Sequence, residues 1–137
     1  MKNSNQKIAI TFTKVAFTES SYKHKTRLRK YCNEQNFRLV GQFKLKTDLT
    51  NEDVYISNIL EDIVDRCLSY DTKIVLVVRS LKNFGTNLQN LDDIVTLIEC
   101  EMIEVRVCGW KGDILPRTVT IGEMQKIYNQ AVSSINN

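Results

Sequence analysis

Lys73-Ile74-Val75-Leu76-Val77-Val78-Arg79-Ser80-Leu81-Lys82-Asn83-Phe84-Gly85-Thr86-Asn87-Leu88 is the stretch on which the fold turns. Ile74 to Val78 form an unbroken aliphatic run, too short for an ordinary helix and without the alternation of a strand that has one wet face. Such a run predicts a central parallel strand covered on both sides. Gly85 marks a turn, and beyond it Leu88, Leu91, Ile94, Val95 and Ile98 recur at helical spacing. Ile103, Val105 and Val107 then alternate with Glu104 and Arg106, which predicts another strand over 103–108.

Upstream, Ile56, Ile59, Leu60, Ile63, Val64, Cys67 and Leu68 make one apolar stripe of a helix. Thr50 or Asn51 is its expected cap, with Glu52 and Asp53 in the first turn, where the dipole favours acids. Residues 37–43 alternate as a half-buried strand, 19–35 read as a basic helix, and 8–13 as the first strand. A loop over 109–117 leads to a last helix at about 119–135. Strand–helix alternation repeated four times predicts an α/β fold, three-layer α/β/α with a mainly parallel four- to five-stranded sheet. One proline, five glycines and no linker predict a single domain over 1–137. Ligands of such folds sit beyond the carboxyl ends of the strands, so 14–18, 44–51, 80–86 and 109–116 are the loops to interrogate.

A 42% hydrophobic, 26% charged composition is that of a soluble globular chain, and the net charge of +3 permits nucleic acid without implying it. No apolar stretch is long enough to span a bilayer, and the polar start carries no secretory signal. Cys32, Cys67, Cys100 and Cys108 contain no CxxC pair and have only His24 for company. Reduced thiols in a cytoplasmic protein, with no metal, are the expectation. No glycine-rich phosphate cradle and no GxSxG elbow occur, so no cofactor and no serine–histidine–acid triad are expected.

The order and spacing of the elements resembles the catalytic domain of serine site-specific recombinases, the resolvase/invertase family. Residues 73–88 look like that family's strand, its Leu-Asp-Arg-x-x-Arg loop and the next helix. Residues 103–109 look like its following strand, Asp113-Ile114-Leu115-Pro116-Arg117 like its loop into the long helix, and 27–37 like its first helix entering the second strand. The resemblance implies a serine that attacks a DNA phosphate while arginines stabilise the added charge. The family places one such arginine and the serine just past the first strand, in a Tyr-x-Arg-x-Ser pattern, and laying the elements over each other puts Phe12 near the arginine's place and Lys14 near the serine's. The neighbours Thr11, Thr13, Val15 and Ala16 offer no serine. Lys82 stands for the loop's acid, Asn83 and Thr86 for its arginines, and Val54 or a neighbour for the arginine of the next helix. A resolvase-like domain with no catalytic residues is therefore expected, acting as a homodimer or by pairing with a recombinase or another DNA-bound protein. The rival readings are an active recombinase with a relocated serine, chosen among Ser20, Ser21 and Ser80 with Ser80 best placed beside Arg79, and a small-molecule-binding α/β module.

Two constellations remain. Lys23, Arg27 and Lys30 share one helix face and could track DNA phosphates, or be a solvated surface. His24, near Leu28 and Tyr31, reads as a packed structural histidine. Ile121, Met124, Tyr128, Ala131 and Ile135 form a regular seam that either packs on the chain's own sheet or meets a partner helix. In active family members the corresponding helix supports dimerisation and leads to a DNA-binding segment; no helix-turn-helix module is expected after it within this sequence. Trp110 is either a contact residue or a cover for the sheet's end.

Overall fold

All five residues of β3 (Ile74–Val78) are at most 2% exposed, and the strand lies between β1 (Ile8–Ala16) and β4 (Ile103–Val107), parallel to both. The computed structural model describes residues 6–16, 20–47, 51–109 and 116–136. Its other elements are α1 (Tyr22–Glu34), β2 (Arg38–Thr47), α2 (Glu52–Tyr70), a 3-10 turn at Leu81–Phe84, α3 (Leu88–Glu99), β5 (Arg117–Thr118) and α4 (Ile121–Asn136). Among the described residues the sheet order is β2-β1-β3-β4-β5, with the β4–β5 pair antiparallel and the other pairs parallel. This is the three-layer α/β/α fold with a mainly parallel sheet that the sequence predicts.

The chain reverses its direction of travel across the sheet between β1 and β3, which makes that junction the topological switch point. Right-handed crossovers put α1 on one face and α2 and α3 on the other. Alternation along the strands supplies both faces. Ala9, Val75 and Val77 meet Leu28, Tyr31 and Cys32 of α1, while Ile10, Phe12, Ile74, Leu76 and Val78 face Ile56, Leu60, Ile63 and Leu91. Of the predicted α2 stripe, Leu68 alone is well exposed, at 68%.

The structure departs from the sequence reading in several places. β1 continues to Ala16 and β2 to Thr47, because Lys14 pairs with Leu45, Val15 with Lys46 and Ala16 with Thr47. Residues 14–16 and 44–47, expected in loops, are therefore strand, and Leu45 and Thr47 are buried. The basic helix starts at Tyr22 rather than 19, and the last one at Ile121. Asn51 occupies the cap position of α2 but makes no side-chain cap, since its backbone is left-handed with φ 56°. The two-residue β5 is too short to carry any periodicity. Trp110 and the rest of 110–115 lie outside the described residues, as do 17–19 and 48–50.

The β1–β2 register slips between Ala9 and Ile10, leaving Val40 as the extra residue of a bulge. Arg66 closes it from α2: its Nη1 donates to the Val40 carbonyl at 2.7 Å and its guanidinium lies 5.4 Å from the centre of the Phe43 ring. Gly41 leaves room for this arm, for a Cβ there would stand 3.2 Å from Nη1.

α4 packs along α3. Met124 is fully buried and Ala131 is 9% exposed, with Ile127 and Tyr128 against the same core and Ile121 half-buried. Of the five residues in the predicted seam, Met124, Tyr128 and Ala131 join the core, Ile121 is half-buried beside it, and Ile135 is 67% exposed. Met124 and Ala131 are thus occupied within the chain rather than offered to a second one. Met124→Ala is expected to lower the free energy of unfolding by about 2–5 kcal/mol. Ile135→Ser should change it by less than about 0.5 kcal/mol. Urea denaturation at two protein concentrations checks both, and a Met124→Ala loss that grows on dilution would place the side chain at an intermolecular contact.

Candidate functional site

At the switch point the carboxyl end of β1 meets the first turn of α2 and the 3-10 turn that follows β3. Ile10, Phe12 and Lys14 alternate onto the α2 side of the sheet, so the Lys14 side chain emerges where the core ends. Its ammonium forms an ion pair with the Glu52 carboxylate and donates to the Lys82 carbonyl at 3.2 Å. The two side chains are only 17% and 10% exposed. Glu52 sits at the positive end of α2, which adds to its stabilisation.

The turn beyond β3 is pinned to this pair. Ser80 Oγ accepts the Lys82 amide at 3.2 Å and caps the 3-10 turn. Asn83 is buried, and its side-chain amide donates to the Phe12 carbonyl at 3.5 Å. Gly85 has φ 74°, and a Cβ on it would stand 3.3 Å from Glu52 Oε1, so only glycine lets the turn lie against the carboxylate. Asn87 caps α3, and Asn90 donates to the Asp53 carbonyl at 3.0 Å. The crevice is closed by short polar ties and by Phe12 and Phe84, whose ring centres are 6.2 Å apart.

On the opposite face Thr11 and Thr13 are buried with hydroxyls that lack a hydrogen-bond partner. His24 is 6% exposed, as its packed reading predicts, and its Nδ1 lies 3.4 Å from Arg79 Nη1. Arg79 is therefore turned toward α1 and away from Lys14. Lys23 and Lys30 are exposed, but Arg27 is half-buried and its Nε donates to the Gly109 carbonyl at 3.4 Å. The row Lys23, Arg27 and Lys30 is thereby split.

The positions compared with the recombinase pattern carry other chemistry. Phe12 is core, Lys14 is an ammonium committed to a carboxylate, Asn83 is a structural amide, Thr86 is exposed and Val54 is 59% exposed. Ser20 accepts the Tyr22 amide at 3.2 Å. All four cysteines are free thiols. Burial pushes Cys32 up to about 11, and Cys67 and Cys108 also upward, so these are poor nucleophiles at neutral pH. Among the described residues no group of three or more His, Cys, Asp and Glu could hold a metal ion. Two recesses, about 500 Å³ along α4 at Gln125 and Asn129 and about 280 Å³ between α2 and α3 at Leu60 and Thr96, both lie away from the Lys14 crevice.

Glu52 as the partner of Lys14 was not legible in the sequence, because 38 residues separate them and only the crossover of α2 brings them together. No family model, no curated protein and no solved structure matches the chain.

Lys14→Met strands a buried carboxylate and is expected to cost about 3 kcal/mol or more. Lys14→Met combined with Glu52→Leu should recover most of that loss, as read by urea denaturation. A double-variant loss equal to the sum of the separate Lys14→Met and Glu52→Leu losses would show that the pair is not coupled.

Proposed function

We propose that this chain is a serine-recombinase-like domain without phosphoryl-transfer chemistry, which acts by association. Its partner is a second copy of itself, a recombinase or another DNA-bound protein, and the consequence is control of recombination or transcription in a phage or mobile element. The Lys14–Glu52 ion pair carries this reading. Phosphoserine chemistry needs a hydroxyl in line with phosphorus and cationic donors aimed at the oxygens that gain charge. At the switch point an ammonium is neutralised by a carboxylate, and that carboxylate would repel an entering phosphodiester. Removing a single donor of this kind costs about a hundred- to a thousandfold in rate. Here the attacking group and several donors are replaced together.

The relocated-serine alternative draws less support, because the Ser80 oxygen is engaged in capping the turn and Arg79 faces His24. The small-molecule alternative has no recess at the crevice to draw on among those described. Four free thiols fit a reducing compartment, so the site of action in this reading is the cytoplasm. No helix among the described residues is long and apolar enough to cross a membrane.

Purified protein incubated with supercoiled plasmid, under conditions that trap covalent intermediates, should leave the plasmid unnicked and yield no protein–DNA adduct. An adduct that disappears in Ser80→Ala would overturn the inactive reading.

A further inference from the structure

Charge is not spread evenly over this molecule. Residues 20–47 hold eight Lys and Arg against one acid, Glu34, a formal charge of +7 in a chain whose total is +3. The fold then sorts these cations. Arg27 and Tyr31 reach Gly109 and Arg106, so that flank of α1 faces β4, and Glu34 lies on the same flank by its three-residue step from Tyr31. A turn of about 100° per residue puts Tyr22, Lys25 and Arg29 on the other flank, toward β2. On β2, Phe43 and Leu45 join the core on the α2 side, so Gln42, Lys44 and Lys46 project on the α1 side, where all three are exposed. The angle between α1 and the outer strand is therefore walled by Lys25 and Arg29 on one side and Lys44 and Lys46 on the other.

None of these four cations has an ion-pair partner among the described residues, whereas Lys7, Lys14, Arg66, Lys73, Arg106 and Arg117 are all paired. Successive cations on each wall stand about 6 Å apart, the order of the phosphate spacing along a nucleic-acid strand. At the mouth of the angle, in line with Lys25 and Arg29, the Tyr22 side chain is 74% exposed. An exposed ring beside a row of cations is the combination that takes a base on its face and phosphates along its flank. A duplex would use the cations but present no base face to Tyr22.

We infer that the angle between α1 and β2 is a binding site for a single-stranded nucleic acid, with Lys25, Arg29, Lys44 and Lys46 on the phosphates and Tyr22 stacked on a base. The inference rests on charge and ring placement alone and stands whether or not the recombinase-like reading does.

Fluorescence anisotropy with a labelled oligothymidylate is the test, run beside a duplex of equal length and poly-glutamate. Oligothymidylate should bind most tightly. For four phosphate contacts its affinity should fall roughly 50-fold over a fourfold rise in salt. Lys46→Glu should weaken binding by about tenfold and Lys44→Glu with Lys46→Glu by more, while Lys126→Glu on α4, equal to Lys46→Glu in net charge change, should leave it nearly unaltered. Tyr22→Ala should cost about fivefold or more for the single strand. Equal weakening by Lys46→Glu and Lys126→Glu would overturn the site, as would binding that does not respond to salt. Tighter binding of the duplex with no effect of Tyr22→Ala would overturn the single-strand assignment, and equal binding of poly-glutamate would overturn nucleic acid as the partner.

Discussion

Five aliphatic side chains in a row cannot all point into one core, because successive residues of a strand face opposite ways. β3 therefore demands apolar cover above and below, and the rest of the chain is arranged to provide it. Ile74, Leu76 and Val78 claim α2 and α3, Val75 and Val77 claim α1, and β1 and β4 must pair on either side to satisfy the backbone. The reversal of chain direction beside β3, and with it the crevice that holds Lys14 and Glu52, follows from meeting that demand with right-handed crossovers.

One helix is too narrow to cover a whole sheet face, and on the α1 side the shortfall falls over β4. It is made up by polar groups. Arg106 lies 4.9 Å from the centre of the Phe37 ring, donates to the Tyr31 hydroxyl at 3.1 Å and pairs with Glu104, which Lys7 also reaches. Burial alone would raise the Glu104 carboxyl, but the two cations outweigh it and hold the group below its ordinary range. This contribution to stability is present above the normal carboxylate range and is lost as acid protonates Glu104.

What could be read from the sequence was what recurs locally. The Ile74–Val78 run, the Ile56–Leu60–Ile63 stripe and the Leu91–Ile94 stripe announce their elements because burial imposes a period on each. Lys44 and Lys46 mislead for the same reason in reverse: they resemble loop residues until Leu45 and Thr47, which alternate with them, are seen to be buried. Partnerships across the fold left no local trace. Glu52 is an ordinary helix-start acid by sequence, Arg66 an ordinary surface arginine, and the division of α1 into an Arg27 flank and an Arg29 flank appears only once β4 is known to lie beside one of them.

The Val40 bulge and its Arg66 clamp have one more consequence. β2 is a ten-residue strand at the margin of the sheet, with β1 as its sole neighbour among the described residues. Such an open margin is a template on which another polypeptide can polymerise. The kink at Val40 breaks its straightness, and Lys44 and Lys46 make like-charged margins repel. The cations that would draw a polyanion in also guard the molecule against forming fibres with its own kind, so a surface made more neutral there would trade solubility away along with charge.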